Sequence, residues 1–559
     1  MEQSTSTIVQ SETFEVKNNI IAVFVVQFDV HQGNVIEWQY PEEFDLKGVE
    51  YQAICSGLHR IENDIIYFSR ENGYGVSVFR NMPSDVERGA YMKAIGIIVQ
   101  PTQDTGICGE VWNHQAFLQQ QLQNHMVISD TIEPSRYEQL LQYYTHHQYR
   151  QPDNMIKQSE PPDFMSYETL LLDHTVNYNL KNSIQTMIHS TEYSINSCMN
   201  FVNRFGPDVF VLWKAALLRK KIMLIHMPAM EIGCHYVYLV YLLGQVPAKF
   251  QKSIQNIVPK FTVGVNDIPQ LEKTHSSYVA CTPDSIFQMK SDLYDILVTL
   301  PAPSFHHTIK DAVTTNRKTT QHIALSDLSC HQQPDFKSSV ISTKHNSADF
   351  TRFRIMWKLF HTRPFEAKNE PSDIFSTVSA LMTGVCYWIY EEHEQATTTP
   401  FTSSNWQGLF AGSQRQRQIR LDQSSETDLL LMEEERDAEE LNNNAVFDAV
   451  AARASSEMQH EQHVRGQNEA LLSFFHNLTC FLLEKLQSIL SINQEDRLAL
   501  VPIYPKDMVH MGLDPQADAA FVTELAQLYF KKRVQVFGWN HVGHISQCLS
   551  CCRKPTIHD

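Results

Sequence analysis

The order of regular elements between residues 20 and 126 constrains this chain more than any motif in it. Five strand-like runs and two helical ones follow one another as strand, strand, helix, three strands, helix. Residues 20–28 (IIAVFVVQF) carry one polar side chain, Gln27, which predicts a strand covered on both faces. Asp29 to Gly33 is turn chemistry, and residues 34–40 then alternate, with Ile36, Trp38 and Tyr40 on one face. Val49, Ala53, Ile54, Leu58 and Ile61 recur at helical spacing. Residues 64–69 and 74–80 flank Asn72-Gly73, a hairpin signal, and residues 92–99 supply a fifth strand. Val111, Leu118, Leu122 and Met126 form the stripe of a closing helix.

Beyond a polar, proline-bearing linker around residues 148–162, helices and strands alternate. Pro207 suits a first helical turn, and the run from Val209 to Lys220 is apolar on most faces, so it predicts a helix buried on most faces. Residues 221–226 (KIMLIH) read as a strand and 232–243 as another buried helix. Residues 261–265, 277–281 and 295–300 are further strands, with a short helix over 284–293. Strands separated by helices of this length imply a mainly parallel sheet covered on both faces.

The 559 residues have room for two to four domains, and a formal net charge of −18 argues against a nucleic-acid role. Eleven cysteines at irregular spacing do not make a disulfide framework and fit a reducing compartment. No secretory signal is read in the first sixteen residues, MEQSTSTIVQSETFEV. The best transmembrane candidate, 374–390, contains four hydroxyl residues and predicts a buried helix rather than a span. Residues 304–349 and 395–468 are polar and predict mobile segments. Within 426–440 eight of fifteen residues are acidic, which reads as a solvated run. Residues 469–492 and 518–536 predict amphipathic helices, joined by a stretch with proline and glycine punctuation.

Covalent chemistry has little support. There is no Gly-Lys-Ser/Thr phosphate cradle, no G-x-S-x-G elbow and no H-E-x-x-H helix. Gly73-Tyr-Gly75 lies between strands and reads as a hairpin. No cofactor or metal is expected, the adjacent histidine pairs being unable to chelate one ion as i, i+4 helix pairs do.

Taken as a set, IIAVFVVQFD with GNVIEWQYP, GVEYQAICSGLHRIENDIIYFSRENGYGVSVF and ERGAYMKAIGIIV resemble the DENN-domain proteins, specifically their LCHN-type branch. FGPDVFVLWKAALLRKKIMLIH and YVACTPDSIFQMKSDLYDILV are similar to the central DENN lobe. The resemblance covers roughly residues 18–300 and implies an α/β fold: a longin-like α+β module, a DENN lobe with a mostly parallel sheet, then a helical C-terminal region. The divisions expected are a flexible 1–17, the longin-like module 18–150 and the central lobe 163–302. A linker 303–350, a helical segment 351–394, an acidic insertion 395–468 and a helical region 469–559 complete them. The function implied is a guanine-nucleotide exchange factor or regulator for a Rab-type small GTPase in membrane trafficking, not an enzyme of covalent chemistry. Two rivals stay open. One is a non-catalytic DENN scaffold on an organelle or lipid-droplet surface; the other is an enzyme in the C-terminal third, for which no nucleophile–base spacing speaks.

Candidate GTPase contacts are Asp29 in the first loop, Tyr67 and Tyr74 at the hairpin, and Arg204, Lys214, Arg219 and Lys221, with Lys220 beside them. The basic run at 219–221 reads first as an ordinary polar junction between helix and strand. At the C-terminus Cys548, Cys551 and Cys552, beside Arg553 and Lys554, are lipidation candidates for peripheral membrane contact. His541-x-x-His544 with Cys548-x-x-Cys551 is the competing zinc reading, and an inert tail is the third.

Overall fold

Nine of the ten residues in Ile20–Asp29 pair with a strand on at least one side, so the apolar entry run becomes an interior strand, β1, of a large sheet. The computed structural model describes residues 16–71, 73–83, 90–102, 104–126, 134–150, 197–226, 229–251, 254–301, 333–362, 468, 471–472, 474–491 and 500–538. In its first part β2 (Gly33–Tyr40), β3 (Asn63–Arg70), β4 (Gly73–Pro83) and β5 (Ala90–Val99) join β1 in the antiparallel order β3-β4-β5-β1-β2. Helices α1 (Val49–Ala53), α2 (Gln115–His125) and α3 (Glu138–His147) accompany it.

The helical spacing from Val49 to Ile61 does not yield one helix. Gly57 adopts φ 85°, which separates the five-residue α1 from a single 3-10 turn at Leu58–Arg60. Two cross-strand glycines in this sheet are required by neighbouring rings. A Cβ on Gly75 would enter the ring of its partner Phe68, and one on Gly96 the ring of its partner Phe24.

The second part opens with α4 (Ser197–Phe205) and the buried α5 (Val209–Leu217). Then come β6 (Ile222–Ile225), α6 (Met230–Leu243), β7 (Val258–Thr262), α7 (Ile268–Lys273), β8 (Tyr278–Thr282) and β9 (Ile296–Thr299). Its strands are parallel in the order β9-β6-β8-β7, as the alternation of helix and strand predicts. The two parts do not form separate sheets. β7 pairs with β3 through Phe68 and Phe261, giving ten strands in the order β10-β9-β6-β8-β7-β3-β4-β5-β1-β2.

The edge strand β10 (Asp335–Ser338), and the start of α8 (Ser347–Thr362), fall within the stretch expected to be a mobile polar linker. β10 is antiparallel to β9, and Phe336 packs on the core. Asp349 is buried, which its polar neighbourhood in sequence hides, because Lys214, 135 residues earlier, and Arg352, one turn on, compensate it. The C-terminal part contributes α9 (474–491), β11 (Val501–Ile503), α10 (Pro505–His510), α11 (Ala519–Phe530) and β12 (Val534–Val536). One helix over 518–536 is not what forms. Lys531 takes φ 54° and ends α11, and Val534–Val536 pairs in parallel with Val501–Ile503.

These C-terminal elements cover α5. Trp213 Nε1 donates to Thr479 Oγ1 at 2.9 Å, and the Tyr529 hydroxyl to Leu217 O at 2.9 Å. Phe210 and Phe475 lie 5.4 Å apart. Among the described residues no helix is long and apolar enough to cross a membrane; the 374–390 candidate and residues 395–467 of the insertion lie outside them.

Candidate functional site

The two halves of the sheet meet at one strained residue. Phe261 is fully buried at φ 57°, where an L side chain costs about 1–2 kcal/mol. The register of β7 against β8 shifts between Pro259 and Phe261, so the strand bulges there. The Phe261 ring is held at 5.7 Å from Tyr67 and 5.8 Å from Tyr74, both on the first half, and 6.5 Å from Tyr238 of α6. Aromatic packing from both sides offsets the backbone strain.

A polar seam runs beside this aromatic one. Asp64 of β3 accepts from the backbone N–H groups of Met230 at 2.7 Å and Glu231 at 3.2 Å, so the first half caps the first turn of α6 in the second. Open α/β sheets commonly hold a ligand phosphate at such a helix start; here a carboxylate of the same chain fills it. Burial pushes Asp64 up to about 7 against the pull of its backbone donors, and burial with the charge of Asp64 pushes Glu231 up to about 8. Further along, Gln52 Nε2 donates to Asp267 Oδ1 at 3.0 Å, and Arg70 donates to Gln52 Oε1 at 3.3 Å and to Lys47 O at 3.1 Å. Burial lowers Arg70 and raises Asp267 from their ordinary values. Gln270 of α7 reaches Glu71 at 3.5 Å.

Four large apolar side chains stand exposed on the segments these bonds tie together. They are Tyr51 on α1, Val265 after β7, and Ile286 and Met289 after β8, at 48, 48, 42 and 83% exposure. The turn Ser285–Met289 is anchored by the buried Phe287 and by Lys290, 3.7 Å from Glu272 of α7. Apolar side chains held out by a rigid base are what a protein partner can bury.

Of the residues singled out in the sequence, Asp29 stands partly exposed at the first hairpin turn, with Oδ1 accepting from His31 N at 2.7 Å and Gln32 N at 2.8 Å, bonds that lower its pKa. Tyr67 and Tyr74 are fully buried in the seam and offer no surface to a partner; Tyr67 donates to Gln115 Oε1 at 2.9 Å. Arg204 donates to Pro301 O at 2.9 Å. Lys214 Nζ sits 2.6 Å from Asp349 and 2.7 Å from Asp518, and Arg352 joins the cluster 2.7 Å from Asp349. Arg219 donates to Gly244 O at 2.6 Å and stacks over Tyr529. Lys220 pairs with Glu524, and Lys221 donates to Thr274 O at 2.7 Å.

The basic groups therefore stitch the chain together rather than face solvent as a group. Gln52, Asp64, Phe261 and Met289 had no signal in the sequence, because each acquires its role from partners far along the chain. Among the described residues no group of three or more His, Cys, Asp or Glu side chains is placed to hold a metal. Cys548, Cys551, Cys552 and the paired histidines at 541 and 544 lie outside the described residues.

Comparison with known proteins places residues 23–310 on the family model described as DENN domain-containing protein 11, and residues 491–546 on a domain of unknown function, DUF4484. The DENN domain-containing protein 11 of Danio rerio is 35% identical over 291 residues, 51% of this chain and 54% of that protein. The Rattus norvegicus protein of the same name is 32% identical over 295 residues, 52% of this chain and 60% of its own length. The uncharacterized protein ANR2 of Saccharomyces cerevisiae is 24% identical over 322 residues, 52% of this chain and 59% of that protein. The matches thus span between about half and three-fifths of these relatives.

Proposed function

The chain belongs to the DENN domain-containing protein 11 family, and on that footing we propose that it regulates a Rab-type small GTPase in membrane trafficking as a guanine-nucleotide exchange factor. The nucleotide-free GTPase is held against the seam of the sheet. The observation that carries this reading is the exposed set Tyr51, Val265, Ile286 and Met289, drawn from both halves and fixed to a base that the Gln52–Asp267 bond and Phe261 make rigid. Asp29, partly exposed on the first hairpin, is a further contact.

Exchange needs no covalent step. A partner that binds the nucleotide-free state more tightly than the loaded one shifts the equilibrium by that difference, and about 5.5 kcal/mol corresponds to about 10⁴-fold. A shaped apolar surface with few charges can supply it; a catalytic group is not required.

The test is release of a fluorescent guanine nucleotide from a panel of Rab-type GTPases. At least one should respond, and Met289→Asp or Ile286→Asp should cut the acceleration by about tenfold or more, as loss of a central anchor does, with no change in the denaturant midpoint. Binding of a GTPase without faster release would favour the scaffold reading. Acylation of Cys548, Cys551 and Cys552 is proposed from the sequence alone; replacing all three by serine should release the chain from membranes.

A further inference from the structure

Asp64 and Glu231 bring two carboxyl groups together where β3 meets the start of α6. Asp64 takes three backbone donors, Ile65 at 2.8 Å on its own strand and the two at the head of α6. Glu231 has no such cradle, and its Oε1 is buried without a hydrogen-bond partner among the described residues. The start of a helix stabilises one anion, whereas two adjacent buried carboxylates repel. We propose that this pair is a proton-operated latch between the two halves of the sheet. With a proton on Glu231 the head of α6 stays docked on β3; with both groups ionised it lets go.

Cys55, just after α1, lies near Asp64, Cys234 and Asp284; other titratable groups on the neighbouring elements are His235, one turn along α6, His226, just after β6, and Cys281 on β8. Burial lowers His235 to about 4, so it stays neutral near physiological pH, and burial raises the Cys55 and Cys281 thiols. Asp64 at about 7 and Glu231 at about 8 both lie above their ordinary values of 3.8 and 4.5. The sign follows. The folded state holds the protons more tightly than the unfolded one, so the contribution is complete below the ordinary values. It is lost as pH rises through about 7 and about 8. This latch is independent of the GTPase reading, because the test reads docking of the halves and not exchange.

In the full chain, hydrogen exchange at the Met230 and Glu231 amides, corrected for intrinsic rate, should report opening that grows by up to about tenfold per pH unit between about 7 and about 8, where opening releases the Glu231 proton, and levels off above that. Glu231→Gln should abolish that dependence and remove most of the infrared carbonyl band of a protonated carboxyl at about pH 8, where Asp64 is largely ionised. An unchanged pH slope in Glu231→Gln, or the same band in both proteins, overturns the proposal. If Glu231→Gln does not fold, the wild-type chain decides it. A protonated-carboxyl band that disappears in step with rising amide exchange supports the latch, and its absence with flat exchange overturns it.

Discussion

Phe261 and Gly75 show how much of this architecture depends on single side chains. Phe261 accepts a backbone conformation that glycine would take freely, because its ring fills the space between Tyr67, Tyr74 and Tyr238. Gly75 is the converse case: its missing Cβ is the space that the Phe68 ring occupies. Gly75→Ala should therefore destabilise the chain by about 1–3 kcal/mol, the usual cost of overpacking, read as a lower denaturant midpoint with an unchanged m-value. Lys214 gives the corresponding test for charge. Lys214→Met leaves Asp349 and Asp518 buried against each other with Arg352 beside only the first, and a loss of about 3–5 kcal/mol is expected in equilibrium unfolding. The same cluster sets an acid limit. Lys214 and Arg352 hold the Asp349 carboxyl below its ordinary value, despite burial. Its contribution is therefore present above about 3.8 and lost as pH falls through the lowered folded value. Wild type, and not Lys214→Met, should show that share of its acid unfolding.

The elements fall into those with a local signal and those without. β1, β6 and α6 were legible because an apolar run or stripe states burial directly, and the strand and helix order carried the α/β class. α3 was not, since its ten residues (EQLLQYYTHH) look polar until Tyr144 packs against Tyr40 and Tyr143 stacks on Phe117. β10 was missed because four residues of mixed polarity become a strand only when an edge is offered to them. The candidate site was less legible still. A basic residue in a sequence reads as surface, yet Lys214 and Lys220 are neutralised by acids 135 and 304 residues further on. Residues 284–293 read as one short helix, whereas the chain makes two 3-10 turns there and leaves Ile286 and Met289 exposed.

Across the whole molecule, the C-terminal part is not an accessory placed beside the α/β body. It shares one hydrophobic core with it, and the segment matched by the domain of unknown function supplies Asp518, Phe521 and Tyr529 to the face of α5 and Glu524 to Lys220 just beyond it. A chain stopped after residue 499 should expose Trp213 and Leu217 and fail to give a cooperative transition. Tryptophan fluorescence during urea unfolding would show it; a truncated protein as stable as the full chain would contradict the shared core. The joining of β3 to β7 has a consequence in time as well as in space. β3 is complete by residue 70, but its partner is residue 261. During synthesis at about 5–20 residues per second, the meander of the first five strands can assemble on its own. Its β3 edge then stands open for roughly eight to thirty seconds, the time to make residues 100–261. An apolar strand edge without a neighbour is a template for other chains, so Tyr67 and Phe68 are open to wrong pairings until β7 leaves the ribosome.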